Sequence, residues 1–408
     1  MTSQTPKGWK RAKLGSVIDL ISGQHIQVDE CNADGRGVPY LTGPADFENG
    51  MIRSSKFTEA PQVCCKAGDI LITVKGSGTG STAIADADYC ISRQLMAVRP
   101  KVADHAFIRF KLESQAETFS NISAGLIPGI ARSDVLNTRL EVPPLAEQQK
   151  IGQILAIWTE AVEKTELLIS SRLRRNEVLS NQLLFGHVRF GQRNIKTTKS
   201  LHWFSAPSDW QVVEISKVAG EVSVLNSSDD RLPVLSCTKY DGLVDSLEYF
   251  DKQVFSHDTS KYKVVGRGQF AYATNHIEEG SIGYQDFVDA GLVSPIYTVF
   301  QSDPKKIDDG YFYKLLKTEK LRQIFSARTN SSVDRRGSLR WKDFARIHIP
   351  LPPLDEQCEI NAVLDDAKRE IVLLQTEVKA LKQQKRGLMQ KLLTGQWRVL
   401  VESKGVAA

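Results

Sequence analysis

The chain has 408 residues, 41% of them apolar and 25% charged, with 53 Lys and Arg against 48 Asp and Glu and a net charge of +5. That length calls for two or three folding units, each able to bury a core, and the composition excludes a mainly disordered chain. No apolar run reaches the roughly 18 residues of a membrane span, and so small a cationic excess permits an anionic partner without requiring one.

The N-terminal residues, MTSQTPKGWKRAKLG, carry no apolar export-signal core. Cys31, Cys64, Cys65, Cys90, Cys237 and Cys358 lack the close Cys and His spacing of a zinc site, so no metal is expected. They read as reduced, mostly packed thiols of a cytoplasmic protein. Residues 1–142 form a first lobe with short β-type runs at Asp69–Val74 and Gln94–Val98 and a short helix predicted over Ala106–Ser120.

Pro143-Pro144 cannot lie inside a helix but suits the residues before one. From there to Gly186, a good C-cap, the chain has no further Pro. Heptad positions Leu155, Val162, Ile169, Asn176 and Leu183 predict one long helix over 143–186. Residues 187–208 are polar, basic and turn-rich and read as a crossover linker. A second lobe over 209–350 has strand-like runs at Gln269–Ala273 and Ile296–Phe300 and a short helix predicted over Tyr311–Phe325. A second long helix follows over 351–395, with Leu364, Ile371, Val378, Lys385 and Leu392 in heptad register, before a tail at 396–408.

The chain says one thing twice. Val142-Pro-Pro-Leu-Ala-Glu-Gln returns as Leu351-Pro-Pro-Leu-Asp-Glu-Gln at an offset of 209, which then holds to the closing Gly186 and Gly395. Trp9 matches Trp210 at an offset of 201, and inside the lobes Gly68 corresponds to Gly268, Ser92 to Ser294 and Asp134 to Asp343. Helices of about 40 residues, roughly 60 Å long, need a partner stripe, and the simplest partner is each other. The expected fold class is therefore α+β: two globular domains in tandem, each followed by a long helix, the helices pairing as an antiparallel coiled coil with pseudo-two-fold symmetry. Asn176 and Lys385 hold equivalent seam positions, as register-setting polar groups or as a solvated end of the seam.

This plan resembles the DNA specificity subunit of type I restriction-modification systems over nearly the whole chain. The resemblance rests on PPLAEQ and PPLDEQ, the motifs around Trp9 and Trp210, Gly68-Asp-Ile-Leu-Ile-Thr73 leading into Lys75-Gly-Ser-Gly-Thr-Gly80, and Arg336-Gly-Ser-Leu-Arg-Trp-Lys-Asp-Phe344. It implies two target recognition domains, each reading half of a bipartite sequence in double-stranded DNA. The coiled coil would set the unread gap and dock two modification (methyltransferase) subunits, to which restriction (translocase and endonuclease) subunits attach. S-adenosylmethionine, ATP and Mg would be bound by those partners and no cofactor by this chain.

DNA-contact candidates follow from side-chain chemistry. Lys75, Ser77 and Thr79 offer a cation and hydroxyls to phosphate, and Arg93, Gln94 and Arg132 suit purine edges. Tyr40 and Thr42 lie after a strand whose counterpart leads to Lys239 and Tyr240, and Asn275 and His276 answer to the Lys75 loop. Arg328, Arg335, Arg336, Arg340, Lys342 and Arg346, interleaved with Asn330, outnumber Asp334 and Asp343 in a lobe close to neutral. No methyltransferase tetrapeptide, Walker A loop, paired nuclease carboxylates or Cys/His set is present, so no catalytic residue is expected. The competing reading is a structural coiled-coil adaptor with protein-binding lobes.

Overall fold

The computed structural model describes residues 5–48, 51–76, 78–122, 129–191, 193, 197–226, 232–329 and 338–400. Two compact units emerge, Met1–Leu167 with Gln375–Ala408, and Leu168–Leu374. The long helices run Leu145–Leu184 and Leu354–Leu393, as the heptads require. Each unit takes one half of each helix, so the units cut the chain at mid-helix.

Both units are built on the same four-stranded antiparallel sheet. In the first, the order is Thr82–Ile84, Ile70–Thr73, Leu95–Pro100, Ile18–Ser22; in the second it is Ile282–Tyr284, Phe270–Ala273, Tyr297–Ser302, Ala219–Val222. The register agrees as well: Ile72 stands opposite Met96, and Tyr272 opposite Thr298. These strands read as apolar runs because helices and a second sheet layer cover them, so Ile70, Leu71 and Ile72 are all fully buried. The helix predicted over Ala106–Ser120 is two, His105–Ser114 and Ala116–Ile122, broken at Gln115; the second lobe likewise has Asp309–Leu316 and Glu319–Thr329.

The long helices close the lobe cores. In the first unit Ile151 and Leu155 pack with Met389 and Leu392 beneath Trp9 and Phe107. Glu166 pairs with Lys382 at 2.6 Å, so these stretches run antiparallel. In the second, Leu183 and Leu184 pack with Ile360 and Leu364, and Arg172 pairs with Glu370 at 2.9 Å. The seam residues Leu155, Val162, Val378 and Leu392 of the first unit, and Leu183, Leu364 and Ile371 of the second, are buried, while Ile169 is half-buried. Lys385 is not a solvated end of the seam. It lies over the Phe110 ring with its Nζ 2.8 Å from Glu113 Oε1. Asn176 Oδ1 is buried with no hydrogen-bond partner among the described residues.

Each PPLxEQ motif has a physical task. Buried Glu147 accepts the Trp9 indole N–H at 3.1 Å and the Arg398 guanidinium at 2.8 and 3.0 Å. Glu356 accepts Trp210 Nε1 at 3.1 Å and Arg189 twice at 2.8 Å. The adjacent Gln148 accepts the Asp104 N–H at 2.8 Å and donates to the Pro143 carbonyl at 2.8 Å. Gln357 does the same with Asp308 and Pro352. Asp104 and Asp308 in turn cap the lobe helices through the Phe107 and Tyr311 N–H groups. The motif thus ties the long-helix start to its lobe and to the segment that leaves the end of the other helix.

That segment corrects one expectation. The described residues of 187–208 are no plain linker: Thr198–Ser200 pairs with Ser205–Pro207, Phe204 and Ala206 are buried, and Arg193 pairs with Asp355 at 2.7 Å. Polar composition concealed this, because the stabilising partners lie more than 150 residues away.

Candidate nucleic-acid interface

In the first lobe the candidate residues gather at one end of the sheet. Tyr40, Thr42, Arg93 and Gln94 line a cavity of about 450 Å³ together with His25 and Lys56. Their roles differ from the sequence expectation. Tyr40 is buried, with its hydroxyl accepting the Ile26 N–H at 3.2 Å, because the strand it occupies is packed on both faces. Burial pushes its phenol pKa up. Thr42 spends its N–H and hydroxyl on the buried Asp46 carboxylate, at 2.6 and 2.9 Å, so its hydroxyl serves the turn. Thr79 is also buried, donating to the Gly76 carbonyl at 2.6 Å and closing the loop.

Exposure is left to Lys75, Arg93, Gln94 and Arg132, with Arg132 donating to Ser22 Oγ at 3.1 Å. Ser77 lies outside the described residues. Three backbone struts hold this end. Ser92 Oγ donates to the Thr42 carbonyl at 2.6 Å, Val74 N–H to the Gln94 carbonyl at 2.8 Å, and Ile130 N–H to the Val74 carbonyl at 2.8 Å. The turn bearing Arg93 and Gln94 is therefore fixed from two strands and from the start of the helix Arg132–Asn137. His25 and Lys56 escaped the sequence reading, since neither lies in a motif; only the cavity brings them to Arg93.

The second lobe has two hydrogen bonds at corresponding places, the first of them from a side chain. Thr274 Oγ1 donates to the Ile296 carbonyl at 2.9 Å, and Leu339 N–H to the Thr274 carbonyl at 2.8 Å. This sets Asn275 and Arg340 next to one frame, Arg340 being exposed at the N-cap of the short helix Trp341–Phe344. His276 is exposed, its Nδ1 3.4 Å from Glu279. Ligand atoms of His276, Glu278 and Glu279 lie within 4.8 Å of one another. Lys239 places its ammonium over the Tyr240 ring at 5.1 Å. Tyr240 faces a groove lined by Glu177, Lys314 and Lys368, on the long-helix side of the lobe. Beside it Lys317 donates to the Lys239 and Gly280 carbonyls at 2.6 and 2.8 Å, and burial lowers its pKa. Arg328 ends the helix Glu319–Thr329 at the surface. Asn330, Arg335 and Arg336 lie outside the described residues.

Among the described residues no helix is long and apolar enough to cross a membrane. All six thiols are free, Cys65 and Cys90 buried and Cys358 exposed. Burial pushes the Cys237 thiol up to about 12. The long helices leave Ile157 and Leu167 exposed in the first unit and Leu173, Val372 and Leu373 in the second.

The profile of the type I restriction modification DNA specificity domain matches residues 6–169 and 236–383. Among known proteins, the type I restriction enzyme MjaVIII specificity subunit of Methanocaldococcus jannaschii is 24% identical over 418 residues, spanning 97% of this chain and 94% of its own. Among solved structures, the S subunit of a type I restriction-modification system from M. genitalium superimposes with a TM-score of 0.59 at 16% identity, covering 96% of this chain and 98% of that one. A chain from a structure on complex assembly and conformational transition of the type I R-M system gives 0.57 at 17% identity, covering 97% and 100%.

Proposed function

The chain belongs to the type I restriction modification DNA specificity family, and from that premise we propose that it is the non-catalytic, sequence-specific DNA-binding subunit of a type I restriction-modification enzyme. Each lobe reads one half of a bipartite target in double-stranded DNA. The observation that carries this reading is a shared frame: the Gln94 carbonyl accepts the Val74 N–H and the Ile296 carbonyl the Thr274 hydroxyl, while the Val74 and Thr274 carbonyls accept the Ile130 and Leu339 N–H groups, so corresponding places anchor an exposed turn with different side chains on it. A common four-stranded frame that carries different exposed turns suits a protein that must recognise two different half-sites.

Two half-sites return to the same face of a duplex every ~34 Å, so a reader of both halves needs a spacer between its lobes, a role that suits the long helices. Their exposed Ile157, Leu173 and Leu373 offer apolar area to two methyltransferase subunits. Methyl transfer from S-adenosylmethionine and ATP- and Mg-dependent translocation and cleavage belong to the methyltransferase and restriction subunits, in the cytoplasm. A coiled-coil adaptor with protein-binding lobes is the weaker reading, since it leaves the cavity bordered by Arg93, Lys56 and His25 without a use.

The test is to co-express the chain with its methyltransferase partner and map methylated adenines across a genome. A bipartite motif with a fixed unread gap is expected. A continuous motif, or none, would refute the two-lobe reader.

A further inference from the structure

The two lobes carry opposite chemistry at one equivalent place. After Ser92 the first lobe turns through Arg93 and Gln94, and after Ser294 the second turns through Pro295 and Ile296. Both turns close with the same bond, Leu95 N–H to the Ser92 carbonyl and Tyr297 N–H to the Ser294 carbonyl, each 2.9 Å. Both are followed by the central strand of the sheet, so what differs is the side chain offered outward.

Gln94 is exposed and projects at the cavity from a tied backbone. Its N–H donates to Ser92 Oγ at 3.1 Å, which fixes the backbone from which the side chain projects. The amide lies over Gly43, where a Cβ would come within 2.5 Å of Gln94 Oε1. Gly43 has an ordinary extended backbone, φ 166, so what a Cβ there would disturb is the position of that amide. A neutral donor and acceptor pair at a cavity lined by Lys56 and Arg93 is suited to a base edge rather than to a phosphate. Ile296, by contrast, is 45% exposed on a turn just as firmly tied.

We propose that Gln94 reads an adenine through its N6 and N7 positions, and that Ile296 packs on the 5-methyl group of a thymine, each at one position of the half-site bound by its own lobe. In the major groove a glutamine amide matches adenine in bidentate fashion, and an aliphatic side chain distinguishes thymine by its methyl. The inference rests on the DNA-specificity function proposed above.

The experiment uses the full chain assembled with its methyltransferase partner and maps methylated adenines for wild type, Gln94→Leu, Gly43→Ala and Ile296→Ala. In Gln94→Leu, discrimination at one adenine position of one half-site should fall about tenfold, the order expected for one bidentate pair. The other half-site and the gap should not change. Gly43→Ala, which displaces the amide while retaining it, should blur the same position. Ile296→Ala should relax one thymine position in the other half-site by a similar factor. The assignment is overturned if Gln94→Leu leaves the motif intact, if the affected pair is not A·T, or if modification falls equally at all sites. Absence of any bipartite motif in the wild type would instead remove the function on which the assignment rests.

Discussion

Arg398 meets Glu147 across 251 positions of sequence, Nε to Oε1 at 2.8 Å and Nη2 to Oε2 at 3.0 Å. The carboxylate is nearly buried and the guanidinium lies over the Trp9 ring at 5.8 Å. Arg189, Glu356 and Trp210 repeat the arrangement in the second unit, with Arg189 additionally bonded to Asp209 at 2.8 Å. Each lobe is thus closed by the segment that follows the other lobe's long helix.

The two closures should differ in strength. The Arg189 side chain is 4% exposed against 43% for Arg398. Removing Arg189 strands a buried carboxylate, so Arg189→Ala should cost about 3–5 kcal/mol, and Arg398→Ala roughly 1–3 kcal/mol because water can solvate Glu147 through the opening. Chemical denaturation of both variants measures this, and equal losses would contradict it.

The first closure should also be sensitive to acid. Burial alone would raise the Glu147 carboxyl, but the hydrogen bonds from Arg398 and Trp9 outweigh it and hold its pKa below the unfolded value near 4.5. A depressed folded pKa means that the stabilisation is complete above about pH 4.5 and is lost as pH falls through the folded value. Thermal unfolding of wild type and Glu147→Gln should therefore differ most near neutral pH and converge on acidification. A gap that stays constant down to pH 3 would count against the pairing.

Gly186 and Gly395 end the long helices with φ of +68 and +69. A Cβ at Gly186 would sit 2.5 Å from Pro207 Cδ, and one at Gly395 2.4 Å from Pro6 Cγ. Alanine at either position should cost more than the ~1 kcal/mol usual for left-handed strain, since the chain has to give way as well. A melting temperature unchanged by either substitution would show that the segment after the helix is free to move.

Lys56, exposed at the cavity, is expected to touch phosphate. Lys56→Ala in the assembled complex should weaken binding to all sequences alike and reduce the slope of log K against log salt by about one. A change in the motif without a change in slope would make it a base reader instead.

Much of this was legible in the chain itself. The offset of 209 located both long helices, because Pro-Pro starts and Gly ends are local signals and the heptad is a local period. The strands at Ile70–Thr73 and Phe270–Ala273 were equally plain as apolar runs. What misled was chemistry that depends on distant partners. Tyr40, Thr42 and Thr79 looked like groove residues and proved to be spent inside the lobe, while His25 and Lys56 looked like nothing in particular.

The sequence alone therefore determined the architecture by repeats: two α+β lobes, two long helices, and a pair of PPLxEQ motifs at their starts. Only the tertiary structure decided what the motif does, because the Glu147 partners Trp9 and Arg398 lie 138 and 251 residues away in opposite directions. Periodicity is written in neighbouring residues, whereas a buried carboxylate is satisfied by whatever the fold brings to it. The exposed turns at Gln94 and Ile296, aligned in the sequence by Ser92 and Ser294, gained a structural basis for the comparison when the strands beneath them were seen to share one register.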